Sequence, residues 1–157
     1  MSISAVQNKL QAAGEKGLGA PVYFPKGLPG MGEYKRYRLE PLKDNPFFYL
    51  LQSLQDPELG FILADPFIFF PGYRVQISDA ELAELQAREE EELLVLTTVT
   101  VAGREKLTSN LAAPLLFNLS AGLGKQIIIS DSMEEMRRPL ELSAAAGKEE
   151  TKEREEK

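Results

Sequence analysis

Residues 26–73 read KGLPGMGEYKRYRLEPLKDNPFFYLLQSLQDPELGFILADPFIFFPGY, a series of short apolar runs separated by proline turns. The turns Asn45-Pro46, Asp56-Pro57 and Asp65-Pro66 come 11 and then 9 residues apart. Asn or Asp before Pro favours turn initiation, and the residue before a proline avoids the helical region. Turns at a spacing of roughly 8–12 residues indicate antiparallel strands in a sandwich or barrel. This stretch therefore predicts an all-β fold.

The flanking sequence adds further strands and a helix to this meander. The fold class that we predict is a small antiparallel β-barrel-like domain with one short helix. Apolar and β-branched runs predict strands at residues 22–24, 34–39, 47–54, 59–64, 73–77, 93–101, 107–119 (interrupted by Pro114) and 126–130. Ser78 and Glu81 form the pattern of a capping box, which predicts a helix at about residues 79–87 with Leu82 and Leu85 on its apolar face.

The two middle strands are apolar on both faces. Phe47, Tyr49 and Leu51 share one face, whereas Phe48 and Leu50 share the other. An antiparallel sheet with one face in water should alternate apolar and polar residues. We therefore expect a helix of the same chain, or a partner, to cover the second face.

The segment PFIFFP at residues 66–71 is predicted to be irregular, because it is short and flanked by prolines. It holds Phe67, Phe69 and Phe70 close together. These aromatic side chains either fill one end of the barrel or remain exposed as an anchor for a partner.

Length and pattern indicate one domain. We assign residues 21–140 to the barrel domain, residues 1–20 to an irregular lead-in that includes a short frayed helix or none, and residues 141–157 to a charged, disordered tail. No apolar run is long enough for a membrane helix, and residues 1–5 do not have the pattern of a signal peptide, so we expect a cytoplasmic protein. The net charge of −6 suits a basic protein partner, but it also agrees with a role in solubility alone.

The sequence offers little for catalysis. It contains no His and no Cys, which excludes His-assisted triads, thiol nucleophiles and the usual zinc sites. It has no phosphate-binding loop or dinucleotide fingerprint, so we expect no cofactor and no metal. The carboxylate pairs Asp56/Glu58 and Asp131/Glu134 lie in polar segments typical of turns and surfaces. A hydrolase is therefore disfavoured, and a small apolar ligand inside an eight-stranded barrel is the alternative function.

Five segments closely resemble the FliW family of flagellar assembly factors. They are FPKGLPG (24–30), DNPFFYLLQS (44–53), DPELGFILADPFIFFPGY (56–73), TSNLAAPL (108–115) and GKQIIISDS (124–132). Each segment alone is a weak pattern of turns and apolar residues, but the five in this order are specific. The family fold is a small antiparallel β-barrel-like domain, in agreement with the pattern described above.

The resemblance implies a cytoplasmic protein with two competing protein partners. Proteins of this family bind free flagellin, and when released they bind and antagonise the translational regulator CsrA, which relieves repression of flagellin synthesis. It implies no direct contact with nucleic acid or membrane, and we expect a monomer when the protein is free. The matching motifs and the residue types suggest eight partner-binding residues: Phe47, Tyr49, Asp56, Glu58, Phe67, Phe69, Tyr73 and Asn110.

Overall fold

The computed structural model describes residues 2–3, 18–43, 45–89, 92–101, 103 and 106–141. Its strands are β1 Ser2–Ile3, β2 Pro21–Tyr23, β3 Arg36–Leu42, β4 Asn45–Ser53, β5 Gly60–Ala64, β6 Val75–Gln76, β7 Leu94–Val101, β8 Leu107–Ser109, β9 Leu115–Asn118, β10 Leu123–Gln126 and β11 Arg138–Leu140. Its helices are α1 Pro66–Phe69, α2 Asp79–Glu84 and α3 Met133–Met136.

Seven of the strands form a closed ring in the order β7-β5-β4-β3-β2-β10-β9, with β9 pairing back to β7. Every pair in the ring is antiparallel except β2 and β10, which run parallel and meet where Tyr23 lies opposite Leu123. Strands β8 and β11 extend the sheet from β7, and β1 pairs with β6 as a separate ribbon. The predicted all-β barrel is confirmed, with seven strands in the ring instead of eight.

Side chains fill the interior of the barrel. Phe24 lies at its centre, with ring centroids 5.3 Å from Tyr37 and 5.7 Å from Phe117 in edge-to-face contacts. Leu residues of β3, β4, β5, β7 and β9 point into the same cluster. Each fully buried side chain of this size contributes roughly 1.5–3 kcal/mol by leaving water. These rings occupy the space that an interior ligand would need.

Helix α2 covers one outer face of the barrel. The predicted capping box is confirmed, since Ser78 Oγ accepts from the Glu81 N–H at 3.1 Å and the Glu81 carboxylate accepts from the Ser78 N–H at 3.0 Å. Leu82 and Leu85, the two residues predicted for the apolar face, are buried. They belong to the apolar cluster that includes Val95, Leu116 and Ile127.

The outer face of β4 and β5, for which the sequence predicted a cover, is covered by other segments of the same chain. Phe48 of β4 and Ala64 of β5 are buried in a cluster with Phe69 of α1 and Leu140 of β11. The cover is therefore a one-turn helix and the last described strand. The coverage is incomplete, because Ile62 on the same face remains partly exposed.

The prediction that residues 66–71 have no regular structure was wrong. Residues Pro66–Phe69 form the one-turn helix α1, in which Asp65 is the N-cap and its carboxylate accepts from the Phe67 N–H at 3.0 Å. Proline is compatible with the first helical position, where its missing N–H would have had no helical partner. The same Asp-Pro pair that marks a turn thus also begins a helix.

Two strand predictions need correction. The long strand predicted at residues 107–119 is two strands, β8 and β9, which pair with different parts of β7. The strand predicted at 126–130 begins earlier, as β10, and its regular part ends at Gln126. The prediction of one helix also missed α1 and α3.

The two ends of the chain are only partly described. Residues 2–3 form β1 instead of belonging to an irregular lead-in, while residues 4–17, where the frayed helix was considered, lie outside the described residues. The predicted tail also lies outside them from residue 142 onward. Within the described parts of the chain, no helix has the length and apolar character to cross a membrane.

Tyr37 gives the first prediction. Its hydroxyl is buried and finds no hydrogen-bond partner among the described residues. Burial, and to a lesser degree Tyr34, raises the pKa of this phenol. Because an unsatisfied buried hydroxyl costs about 1–3 kcal/mol, Tyr37→Phe should leave the melting temperature unchanged or raise it. A clear loss of stability in thermal unfolding would show that the hydroxyl has a partner.

Candidate binding surface

A groove with a volume of about 620 Å³ runs along one side of the molecule. The segment after α1 forms one wall, and the chain around α3 forms the other. We call it the aromatic groove, and its lining residues are Phe69, Phe70, Pro71, Gly72, Tyr73, Arg74, Leu111, Ile129, Glu135 and Arg138.

Tyr73 ties the two walls together. The Phe70 N–H donates to Pro66 O at the end of α1, and the Tyr73 N–H donates to Phe70 O, so the chain turns back sharply. The Tyr73 ring lies against Phe67, with centroids 5.6 Å apart. Its hydroxyl donates to Leu111 O at 2.7 Å. Burial, followed by the nearby Glu135 carboxylate, raises the pKa of Tyr73 well above its ordinary value, so the phenol is neutral and remains a donor at physiological pH.

Helix α3 and strand β11 supply the charged wall. Ser132 caps α3 by accepting from the Glu135 N–H at 3.3 Å, and Glu135 O accepts from the Leu111 N–H at 2.8 Å. The Glu135 carboxylate pairs with Arg138 at 2.6 Å. The Arg138 guanidinium also lies 5.5 Å from the centroid of the Phe70 ring, a cation–π arrangement. These charges are paired with each other, which suits a docking surface better than proton transfer.

The groove brings together some of the residues predicted from the sequence. Phe69 and Tyr73 line it. Phe47 is next to Phe69, with ring centroids 6.3 Å apart, and Phe67 is buried beneath Tyr73. Asn110 precedes a lining residue, and its side-chain oxygen accepts from the Ala112 N–H at 3.0 Å to shape the turn.

The other three predicted residues lie elsewhere. Tyr49 is buried in the barrel cluster, where burial raises the pKa of its phenol. Asp56 and Glu58 are in the turn between β4 and β5, and the Asp56 carboxylate accepts from the Glu58 N–H at 2.9 Å. Phe47 lies near the start of β4, whereas Asp56 and Glu58 follow its end. Because a strand rises about 3.3 Å per residue, the two ends of β4 are separated by more than roughly 20 Å. The eight residues therefore do not form a single site.

Of the ten residues that line the groove, only Phe69 and Tyr73 were among the predicted site residues, and one wall was missed entirely. Leu111, Ile129, Glu135 and Arg138 were not among the predicted residues. Two signals were present: Leu111 and Ile129 lie within the segments TSNLAAPL and GKQIIISDS, and Ser132 and Glu135 have the spacing of a capping box. Nothing local in the sequence shows that these segments meet Tyr73.

A second cavity of about 290 Å³ lies between the loop Pro25–Gly27 and strand β10. We call it the lysine cleft. The carboxylate of Glu84, one of its lining residues, lies 3.6 Å from the Lys26 ammonium and 2.5 Å from the Lys125 ammonium. The hydrogen bond from Lys125 is the main cause that lowers the pKa of Glu84. The described residues contain no cluster of carboxylates arranged to hold a metal ion.

Comparison with known proteins gives a consistent result. Residues 8–140 match the family model described as FliW protein. The chain is 36% identical to the flagellar assembly factor FliW of Clostridium botulinum (strain Langeland) over 120 residues, which are 76% of this chain and 84% of that protein. It is 40% identical to the FliW of Geobacillus sp. (strain WCH70) over 112 residues, 71% of this chain and 77% of that protein.

A solved structure agrees with the fold. The crystal structure described as that of the flagellar assembly factor FliW superposes with a TM-score of 0.70 at 36% sequence identity, covering 81% of this chain and 87% of that one. The likeness therefore extends over most of the barrel.

Tyr73→Phe tests the tie across the groove. The substitution keeps the ring but removes the bond to Leu111 O, and we expect it to reduce the free energy of unfolding by about 1 kcal/mol. Chemical denaturation measures the change, and Tyr37→Phe is the matched control, since it removes a hydroxyl without a bond. Equal effects of the two substitutions would contradict this role of Tyr73.

Glu84 gives a pH-dependent prediction. The pKa of the Glu84 carboxyl is lower in the folded protein than in the unfolded chain. The stability that the ionised Glu84 contributes is therefore present above the ordinary carboxyl pKa, and it is lost as the pH falls through the pKa of the folded protein. In an NMR titration of the Glu84 carboxyl, Lys125→Met should raise the pKa more than Lys26→Met does, because Lys125 is the closer and hydrogen-bonded partner. A larger rise in Lys26→Met would contradict this.

Proposed function

Because this chain belongs to the FliW family of flagellar assembly factors, we propose that it binds free flagellin and, once released, binds and antagonises CsrA in the cytoplasm. The antagonism would relieve repression of flagellin synthesis. The observation that carries the proposal is the family match, which extends over residues 8–140 and includes the whole barrel. The partners are those implied by the sequence resemblance described above.

The aromatic groove supports a binding role. It combines aromatic rings, a guanidinium and a carboxylate in a depression large enough for side chains of a partner. Aromatic and arginine residues are enriched at the centres of protein–protein interfaces. We propose that Tyr73 and Phe47, which are both partly exposed, contact one of the two partners, and that Phe69, which is only 7% exposed, supports the groove from beneath. Asn110 would act by shaping the turn that carries Leu111.

The turn between β4 and β5 supports a separate electrostatic contact. Glu58 is exposed there, and Asp56 anchors the turn. The chain as a whole carries a net charge of −6. Complementary charge speeds the encounter with a basic partner, and CsrA binds RNA through a surface that must be basic. We propose that Asp56 and Glu58 face CsrA.

For Tyr49 and Phe67 the proposed role is indirect. Both are buried and offer a partner almost no surface. We propose that they act by supporting the barrel wall and the aromatic groove from beneath. Their truncation would therefore affect folding before it affects binding.

The test of the function is a titration of this protein into CsrA bound to a flagellin-leader RNA, with and without the cognate flagellin. We expect release of the RNA and reversal of that release by flagellin, measured by fluorescence anisotropy of the labelled RNA. Binding of flagellin with no effect on the CsrA–RNA complex would leave a chaperone without the regulatory role. Binding of neither partner would overturn the proposal.

Glu58→Lys tests the electrostatic contact. The side chain is exposed, so folding should not change, while the affinity for CsrA should fall several-fold and the association rate should lose part of its dependence on salt. Glu89→Lys, which makes the same charge change at another exposed position, is the matched control. Equal effects of the two variants on CsrA binding would contradict a specific contact at the turn.

A further inference from the structure

The lysine cleft is a cavity that the proposed function does not use. It lies between the loop at residues 25–27, the end of α2 and strand β10, and its volume is about 290 Å³. Cavities that hold small molecules begin at roughly this volume. The cleft shares no lining residue with the aromatic groove. A ligand in the cleft would therefore bind apart from the surfaces already assigned to the two protein partners.

Two ammonium groups face the cleft, and they are held to different degrees. The Lys125 side chain is only 19% exposed, and its ammonium donates to the Glu84 carboxylate. The Lys26 side chain is 72% exposed, and its ammonium lies 3.6 Å from Glu84, which is longer than an ordinary hydrogen bond. Each ammonium has three N–H donors, and an exposed ion pair such as Lys26–Glu84 contributes little to stability. Both groups can therefore donate to a further acceptor at little cost.

The charge of the cluster favours a ligand with a single negative charge. The hydrogen bond from Lys125 lowers the pKa of Glu84, so this carboxyl is ionised at neutral pH. Two ammonium groups and one carboxylate leave a local charge of +1 in a chain whose net charge is −6. A monoanion would neutralise the cluster, whereas a second negative charge on the ligand would be repelled by Glu84.

The backbone around the cleft is fixed and supplies another donor. Gly27 has a positive φ of 64°, and a Cβ at this position would lie 2.5 Å from the Cα of Gly32, so the loop that carries Lys26 is closely packed. The Ile127 N–H donates toward β9, to Pro114 O. Because successive N–H groups of a strand point to opposite sides, the N–H of the preceding residue points toward the cleft. The site is thus largely formed before a ligand arrives.

We propose that the lysine cleft binds a small organic monocarboxylate with an apolar body. The carboxylate would lie between the ammonium groups of Lys26 and Lys125. The apolar body would lie against the lining residues that have no polar side chain, which are Pro25, Gly27, Leu85 and Gly124. The ligand would connect the loop after β2, the end of α2 and strand β10. This proposal does not rest on the proposed function.

The experiment is an NMR titration of the full chain with sodium benzoate at neutral pH and constant ionic strength. The backbone amides of Lys26, Gly27 and Gln126 should shift and reach saturation, with a dissociation constant of about 1 mM or lower. Benzyl alcohol has the same ring without the charge, and it should bind about tenfold more weakly or less. Inorganic phosphate has the charge without the apolar body, and we expect the same loss for it.

Three variants locate the binding site. Lys26→Met removes the loosely held ammonium, and it should weaken benzoate binding about fivefold or more while the melting temperature stays the same. Lys43→Met makes the same charge change at an exposed position outside the cleft, and it should change the affinity less than about twofold. Glu84→Gln removes the carboxylate that competes for both ammonium groups, so it should strengthen benzoate binding several-fold.

Four results would overturn the proposal. Shifts that do not saturate at roughly 20 mM benzoate would show that the cleft is not a carboxylate site. Equal losses in Lys26→Met and Lys43→Met would assign the attraction to overall charge. Phosphate binding as tight as that of benzoate would make the cleft a general anion site, and equal binding of benzyl alcohol would leave the lysines without a role. None of these results changes the outcome of the titration with flagellin and CsrA.

Discussion

The fold depends on how the barrel closes. The ring is completed where Tyr23 lies opposite Leu123, and immediately beyond this bridge the Phe24 ring packs onto Gly124. A Cβ at Gly124 would lie 2.5 Å from the ring, a distance that real Cβ atoms essentially never show, so only glycine lets the two strands meet around a central phenylalanine. Closure pairs the backbone groups of the ring strands with one another and keeps them away from other chains. Pro25, which has no N–H, follows directly after Phe24, and among the described residues β2 pairs with β10 only at this bridge.

Short elements of the chain cover the outer faces of the barrel. Helix α2 and the pair formed by α1 and β11 cover apolar faces that the barrel strands cannot bury themselves. Of these covering segments, α1 and β11 each contribute a residue to the aromatic groove, Phe69 and Arg138. The two walls of the groove are held together because Tyr73 and Glu135 both hydrogen-bond to Leu111. Stability and the candidate binding surface thus rely on the same contacts. The partner switch that we propose would need two differential affinities and no catalytic group. The groove and the acidic turn are separate and chemically different surfaces.

Features set by a few neighbouring residues were predictable. The turn at Pro29-Gly30 closes with a bond from the Met31 N–H to Leu28 O, and Gly30 has the positive φ of 80° that this turn requires. The capping box at Ser78 was found for the same reason, since its partners are three residues apart. Residues 66–71 and 132–136 were misjudged or missed because a one-turn helix has almost no periodicity, and its N-cap residue is equally common in turns.

The sequence by itself determined the class of fold, the positions of most strands, the apolar character of both sheet faces and, through five ordered segments, the family. These follow from local backbone preferences and from the alternation of side chains. The tertiary structure alone decided which segments cover the second face and how Phe69, Leu111 and Arg138 come to share one groove. Those features depend on pairings between residues far apart in the chain. The free energy of such a pairing comes from burial and hydrogen bonding in the assembled barrel, which no single stretch of sequence encodes.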